Sequence, residues 1–107
     1  MRLREIYLIS ESETLDAINQ PIVTETKSAA LFVELRSLSG NEVFEGRQGG
    51  LFPEFSFIIS SFDYHGEKKV EYNGKVYAVY RTYEPDEDNV EVYCQTEGGV
   101  TYVERGS

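Results

Sequence analysis

The stretch that decides the fold is Val70-Glu71-Tyr72-Asn73-Gly74-Lys75-Val76-Tyr77-Ala78-Val79-Tyr80. It places Asn73-Gly74 between two alternating runs, and both residues tolerate the positive φ of a type I′ turn. The sequence therefore predicts a β-hairpin with a two-residue loop, in which Tyr72 pairs with Lys75. Val70 pairs with Tyr77 in the same register. The face predicted to line the core carries Val70, Tyr72, Tyr77 and Val79.

Alternation and aromatic or β-branched residues predict further strands on both sides of this hairpin. The predicted strands are residues 3–10, 22–26, 29–38, 54–61 and 90–96. Residues 22–38 are interpreted as one long strand that is broken near Lys27. Polar and acidic stretches between the strands predict loops or turns. These are residues 11–20, closed by Pro21, and residues 63–66 and 84–89.

The connection over residues 39–53 differs from the short turns elsewhere. Ser39 and Glu42 have the Ser-x-x-Glu spacing of a capping box, which satisfies amide donors at a helix start. We expect a turn or two of helix that holds Val43 and Phe44, ended by the glycines at 46, 49 and 50. Such a long connection is uncommon in compact domains and is often functional.

About six short strands with one brief helix predict an all-β, antiparallel barrel or sandwich. At 107 residues the chain has the size of one domain, so residues 1–107 are interpreted as a single unit. The long connection is then a loop, inserted into this domain, that carries a short helical turn. Gly98-Gly99 opens a C-terminal stretch, residues 96–107, that is a candidate for a flexible tail.

Composition excludes several classes of function. The chain has 10 Lys+Arg against 19 Asp+Glu, a net charge of −9, whereas binding to nucleic acid or to an anionic membrane draws on positive charge. Its single cysteine, Cys94, excludes an internal disulfide and a cysteine zinc site. The apolar runs are too short to span a bilayer or to form a secretory signal, so a cytoplasm is the expected compartment.

No catalytic constellation is visible. His65 lies in a turn without a positioned partner, and Cys94 is expected to be a small buried residue of the last strand. The acidic loop at 86–89 lacks the ligand spacing of a calcium loop, because Val90 stands where a third ligand belongs. The glycines at 46–50 lack the Lys-Ser/Thr ending of a phosphate-binding loop. We expect neither enzymatic activity nor a metal or cofactor.

Several blocks in order resemble the head–tail joining proteins of long-tailed bacterial viruses and prophages, also called head-closure or stopper proteins. The matching blocks are Gly66-Glu67-Lys68, residues 70–75, residues 77–84 and Gly49-Gly50-Leu51-Phe52-Pro53-Glu54-Phe55. Weaker matches are Arg2-Leu3-Arg4 and Thr24-Glu25-Thr26-Lys27. The resemblance covers roughly residues 2 to 96.

The resemblance implies a small β-barrel that assembles with other copies of itself into a ring beneath the portal and its adaptor protein. Such a ring continues the DNA channel, retains the packaged genome without sequence-specific binding, and presents a docking surface for a tail-terminator or tail protein. The location would be the head–tail interface of a virion assembled in the cytoplasm of a bacterial host. The channel-closing segment would comprise Ser39, Gly40, Asn41, Glu42, Val43, Phe44, Glu45, Gly46, Arg47, Gln48, Gly49, Gly50, Leu51, Phe52 and Pro53.

In an isolated monomer this segment is expected to be mobile, because its contacts would come from neighbours in the ring. Two other classes of function remain open. One is a soluble β-barrel module that binds proteins in a cell. The other is an acidic DNA mimic encoded by a prophage, although mimicry predicts carboxylates in phosphate-like rows rather than in loops.

Overall fold

The computed structural model describes residues 3–96, which form seven strands and one helix. The elements are β1 (Leu3–Leu15), β2 (Pro21–Lys27), β3 (Leu31–Ser37), α1 (Gly40–Gln48), β4 (Pro53–Ser60), β5 (Lys69–Tyr72), β6 (Lys75–Tyr83) and β7 (Asn89–Thr96). Apart from Thr96, the predicted tail lies outside the described residues, and so does Arg2. No helix in the described part is long and apolar enough to cross a membrane.

Six strands close into an antiparallel barrel. They run in the order β1-β3-β4-β7-β6-β5, and pairing of β5 with the middle of β1 closes the sheet. β2 is an additional strand that pairs only with the distal part of β1, from Ile9 onward. The predicted all-β, antiparallel barrel with a helix-bearing insertion is therefore confirmed.

The Asn73-Gly74 hairpin forms as predicted. Tyr72 pairs with Lys75, and the turn residues have φ angles of 57° and 79°, the positive values of a type I′ turn. Val70 pairs with Tyr77 and is fully buried. The remaining residues of the predicted face, Tyr72, Tyr77 and Val79, are half-buried and pack against the core.

Alternating residues of the six barrel strands supply the core. Its buried members are Ile6, Leu8, Val33, Phe57, Ile59, Val70, Val90, Val92 and Cys94. Edge-to-face contacts among Phe55, Phe57, Tyr72 and Tyr77, with ring centroids 4.8 to 5.6 Å apart, extend the core toward one end of the barrel. Aromatic pairs of this geometry add stabilisation beyond the area they bury. Burial of Cys94 agrees with the sequence prediction.

The predicted loop at residues 11–20 is correct over residues 16–20 and wrong over residues 11–15. β1 continues through this region to Leu15, and β2 begins at Pro21, so the two strands form a second hairpin. Proline is compatible with this position because it is the first residue of an edge strand. We call residues 10–27, the part of this hairpin beyond the barrel, the arm.

The break near Lys27 predicted within residues 22–38 is confirmed, and it separates two strands, β2 and β3. The chain breaks after Lys27, and the amide of Ser28 donates to the carbonyl of Leu8 at 2.8 Å. β2 and β3 then pair with different parts of β1: β2 with residues 9–15 and β3 with residues 3–6. This break is what separates the arm from the barrel.

The helical turn predicted within residues 39–53 is longer than expected. α1 spans nine residues and continues through Gly46 to Gln48, so that Gly49 and Gly50 alone mark its end. Gly50 has a φ of +90°, a conformation that favours glycine. We call residues 39–53 the crossover segment, because they connect β3 to β4.

The strand directions assign the connections to two ends of the barrel. Because neighbouring strands are antiparallel throughout, the arm and the loops at 61–68 and 84–88 share one end. The amide of Ser61 donates to the carbonyl of Asp88 at 2.9 Å and joins the two loops. The crossover segment and the Asn73-Gly74 turn lie at the other end.

Candidate functional site

The crossover segment begins with a half-formed capping box. The Ser39 hydroxyl accepts a hydrogen bond from the amide of Glu42 at 3.1 Å, as the sequence predicts for an N-cap residue. The Glu42 side chain contacts the barrel instead. Its carboxylate accepts from the Tyr80 hydroxyl at 2.8 Å and from Arg81 Nη2 at 2.9 Å.

A β-bulge in β6 makes this double contact feasible. Consecutive side chains of a regular strand point to opposite faces, which would separate Tyr80 from Arg81. The register of β6 against β7 shifts between Val79 and Arg81, and a bulge of this kind re-aims side chains. Both side chains therefore reach Glu42. Burial and the hydrogen bond to this carboxylate raise the pKa of Tyr80 well above its usual range.

The same wall of the barrel carries a chain of polar contacts. The Arg81 guanidinium lies over the Tyr93 ring, 3.9 Å from its centroid, and the Tyr93 hydroxyl donates to Glu91 at 2.7 Å. Arg36 lies 3.9 Å from the Glu91 carboxylate. Arg36, Glu91 and Tyr93 line a cleft of about 240 Å³ between the start of the crossover segment and the sheet. Ser56 lines this cleft and is only 3% exposed.

The other end of the helix is held by close packing. Gly46 faces Pro53, and a Cβ atom at position 46 would lie 2.5 Å from Pro53 Cγ. The Gly46 carbonyl also accepts a hydrogen bond from the Leu51 amide at 2.8 Å. Gly46 therefore does not end the helix, as the sequence analysis proposed. It allows the helix to approach the first residue of β4.

The crossover segment thus has contacts of its own within the chain. The expectation that its contacts come only from neighbours in a ring is wrong, since Glu42 and Gly46 both attach it to the barrel. Its outer side is open: Phe44 is 62% exposed and Phe52 is 42% exposed. The arrangement is a short helix that is fixed to the barrel at both ends, with one exposed phenylalanine on the helix and one after it.

The arm is the second unusual surface, and its base is fixed by charge pairs. Lys69 of β5 lies 3.1 Å from the Glu11 carboxylate and 2.7 Å from that of Glu25. Lys27 lies 3.1 Å from the Glu71 carboxylate and over the Tyr7 ring, 4.8 Å from its centroid. These contacts join the base of the arm to β5, which lies on the other edge of β1 from β2.

Beyond its base, the arm is exposed. All residues of β2 are exposed, and Asp16 caps the turn through its carboxylate, which accepts from the amides of Ile18 and Gln20 at 2.9 Å. Sequence reasoning predicted a strand over residues 22–26 but missed the distal part of β1, because it sought apolar alternation. The available signal was the alternation of hydroxyls with acids in Ser10-Glu11-Ser12-Glu13-Thr14.

The remaining candidates from the sequence are His65, Cys94 and the acidic loop at residues 86–89. His65 is exposed in its turn, 3.9 Å from the Glu67 carboxylate. Burial raises the pKa of the Cys94 thiol to about 12. In the acidic loop, hydrogen bonds from the amide of Asp88 and the side chain of Asn89 lower the pKa of Asp86. Within residues 3–96, no three His, Cys, Asp or Glu side chains are grouped to hold a metal ion.

Comparison with known structures identifies the fold. The chain is similar to a protein of Shigella flexneri 2a, SF1141, known from a solution structure, with 17% identity and a TM-score of 0.69. That match covers 90% of this chain and 94% of the Shigella chain. It is also similar to a chain of the virion of a native gene transfer agent particle, with 7% identity and a TM-score of 0.52. That match covers 89% of this chain and 94% of the virion chain.

No family model and no curated protein sequence matches the chain. At such low identities, the two structural similarities show a shared fold. Each match extends over nearly the whole of the matched chain.

Proposed function

We propose that this protein is a structural component of a virus-like particle, a head-closure protein that assembles with copies of itself into a ring beneath the portal and its adaptor. In this role the ring closes the DNA channel with the crossover segment and offers a docking surface for the tail. The observation that carries the proposal is the fold shared with a chain of a gene transfer agent virion, over 89% of this chain. The ordered sequence blocks that resemble head–tail joining proteins support the same proposal.

The crossover segment suits a channel-closing role. It is fixed to the barrel by Glu42 and Gly46, yet Phe44 and Phe52 remain largely exposed. Aromatic side chains are enriched where one protein surface meets another. Several copies of such a helix, brought together around a ring axis, would bring these side chains toward one another.

The charge of the chain suits a channel through which DNA passes. At −9 the protein repels the phosphate backbone, so it would guide a duplex without holding it. The proposed partners are accordingly proteins, namely further copies, the portal adaptor and a tail protein. We propose no enzymatic activity, cofactor or membrane partner.

A DNA mimic is the competing proposal, and the ion pairs weigh against it. A mimic needs free carboxylates in rows spaced like phosphates. The carboxylates of Glu25, Glu42 and Glu71 are instead bonded to Lys69, Arg81 and Lys27 of the same chain. A soluble interaction module with this fold would share the barrel and the exposed surfaces, so experiment must separate it from a virion protein.

The deciding experiment is removal of the gene from the strain that produces the particles. We expect the chain to be present in purified wild-type particles, as detected by mass spectrometry. Its removal should yield separate heads and tails, with heads that have lost their DNA. Normal numbers of filled, tailed particles would contradict the proposal. Absence from particles, together with capture of a DNA-binding protein that duplex DNA displaces, would establish the mimic.

A further inference from the structure

One charged side chain on the inner face of the barrel has a buried donor without an acceptor. Arg4 alternates along β1 with Ile6 and Leu8, which are almost fully buried, and it pairs with the buried Val33 of β3. Its Nε atom is buried and forms no hydrogen bond. A charged donor that is buried without an acceptor costs free energy, so stability alone does not explain an arginine at this position.

Arg4 lies at the end of the barrel that carries the crossover segment and the Asn73-Gly74 turn. The pairing of β1 with β5 ends at Ile6 and Tyr72, and Arg4 lies beyond this pair, level with the turn. Tyr72 is paired on its other side with Lys75, so these two side chains share the inner face. Arg4 is only partly buried and Lys75 is exposed, as expected for residues at the rim of a barrel.

Three hydrogen-bond donors therefore lie side by side at this rim, and we call Arg4, Tyr72 and Lys75 the rim cluster. Lys75 is directly opposite Tyr72 and Arg4 is its diagonal neighbour, at Cβ separations of roughly 5 Å and roughly 7–8 Å that long side chains can span. Edge-to-face contacts with Phe55 and Phe57 hold the Tyr72 ring in place. Within residues 3–96, none of the three side chains donates to an acceptor.

The rim cluster keeps its positive charge, unlike most cations of the chain. Four other cations lie no more than 3.9 Å from a carboxylate, namely Lys27, Arg36, Lys69 and Arg81. The acids that border the cluster already accept hydrogen bonds. Glu5, on the opposite face of β1, accepts from the Tyr7 hydroxyl at 2.7 Å. Glu54, which lines a cleft of about 200 Å³ together with Lys75, accepts from the Thr96 hydroxyl at 2.7 Å.

The chemistry of the rim cluster selects an oxyanion. The planar fork of a guanidinium bonds a carboxylate or a phosphate through two parallel hydrogen bonds. The Tyr72 hydroxyl and the Lys75 ammonium add donors beside it. A ligand that satisfies this cluster must therefore supply acceptor oxygens and negative charge.

The distribution of charge indicates which oxyanion fits. More than half of the 19 acids belong to the arm and to the loops at 61–68 and 84–88. These lie at the other end of the barrel, roughly 20 Å away along its strands, which is more than two Debye lengths of about 8 Å at physiological salt. A nucleic-acid duplex extends past the rim toward these acids, and it needs more than two cations for affinity. A short acidic segment of a protein meets the rim cluster alone.

We propose that Arg4, Tyr72 and Lys75 bind the carboxylates of a short acidic segment on a partner protein. This partner docks on the end of the barrel that carries the crossover segment. The inference goes beyond the proposed function and does not depend on it, because the site is complete within one chain.

Titration of the isolated, ¹⁵N-labelled chain tests the site. The probe is an N-acetylated triglutamate amide, and the matched control is the triglutamine peptide at the same ionic strength. The Nε–H signal of Arg4 reports binding. The Nε–H signal of Arg47 is the internal control, because Arg47 is exposed on α1, away from the cluster, and has no ion pair within residues 3–96. We expect a saturable shift of the Arg4 signal with the triglutamate peptide only.

Three single variants locate the binding. Arg4→Gln and Lys75→Gln should each weaken binding of the triglutamate peptide about tenfold, the effect of removing one charge-assisted hydrogen bond. Arg47→Gln should leave it nearly unchanged. Because Lys75 is exposed, the result with Lys75→Gln does not depend on the packing of the barrel. Equal responses to the two peptides, or an equal loss in Arg4→Gln and Arg47→Gln, would overturn the inference.

Parallel titrations separate the sources of an oxyanion. Inorganic phosphate and a short DNA duplex replace the peptide under the same conditions. We expect both to bind the rim cluster more weakly than the triglutamate peptide. Tighter saturable binding of either would overturn the assignment to protein carboxylates. Since the isolated chain is used, the outcome is separate from the presence or absence of the chain in particles.

Discussion

The barrel and the arm are built from the same kind of hydrogen-bonded strand, yet their side chains differ in burial. Barrel strands bury every second side chain, as with Ile6 and Leu8 of β1. Beyond Ile9 the same strand continues with Ser10, Ser12 and Thr14, and it buries none of them. The difference teaches that backbone pairing continues along the whole of β1, whereas its side chains divide it into a part that lines the core and an exposed arm.

The largest difference is expected from truncating one side chain in each region. Phe57→Ala in the core should lower the free energy of unfolding by about 3–5 kcal/mol, since Phe57 is 0% exposed and the cavity cannot collapse fully. Val23→Ala in the arm should change it by no more than about 0.5 kcal/mol. Urea unfolding of both variants measures this. Similar losses of unfolding free energy in the two variants would contradict this prediction, because they would show that the arm unfolds cooperatively with the barrel.

A second pair of variants tests whether packing of the crossover segment contributes to the free energy of unfolding, as packing in the barrel does. Gly46→Ala should cost about 1–3 kcal/mol, because the new methyl group meets Pro53. Gly40→Ala is the matched control in the same helix, with nothing within 4 Å of the added Cβ, and should be close to neutral or stabilising. Thermal unfolding compares the two. Equal effects would mean that Gly46 does not hold the helix against β4.

The tight turns of the barrel hairpin and of the arm allow a third comparison between the two regions. Gly74 and Asn19 both have positive φ, in the barrel hairpin and in the arm turn, respectively. Gly74→Val should cost on the order of 1 kcal/mol or more, because a β-branched residue is disfavoured there. Asn19→Val should act only on local opening of the arm. Its effect should appear in amide exchange of residues 12–24, with global unfolding unchanged; a full loss of global stability would contradict this.

The last effect is expected only at alkaline pH, at Tyr64 in the loop that packs against the barrel core. Burial raises the pKa of Tyr64 to about 12 from an ordinary value of 10.0, and its hydroxyl donates to the Glu67 carbonyl at 2.6 Å. A raised folded-state pKa gives stability that is complete below pH 10 and is lost as pH rises toward 12. Tyr64→Phe should therefore make the unfolding free energy less steep between pH 10 and 12. An unchanged dependence of the unfolding free energy on pH in this range would contradict the prediction.

Sequence reasoning succeeded where local chemistry determines the structure. Asn73-Gly74 is compatible with few alternatives to a type I′ turn, and Ser39 caps its helix without help from tertiary structure. Apolar alternation identified the barrel strands because the core face must be apolar. The position of Cys94 in the last strand followed from the same pattern.

It failed where distant parts of the chain decide the outcome. The distal part of β1 is a strand because β2 pairs with it and because Lys69, far along the chain, bonds to Glu11 and Glu25. The role of Gly46 depends on Pro53, and that of Glu42 on a bulge in β6. Lys69 and the bulge in β6 are too far along the chain to leave a local signal at Glu11, Glu25 or Glu42.

The most direct test of the account is the retention of DNA by particles with an altered crossover segment. Phe44→Ser combined with Phe52→Ser removes the exposed aromatic pair and should leave the barrel folded, since neither side chain belongs to the core. Phe62→Ser, 83% exposed at the opposite end of the barrel, is the control. We expect heads with the double substitution to package DNA and then release it to nuclease, while control heads retain it. Equal retention in both would contradict closure of the channel by this segment.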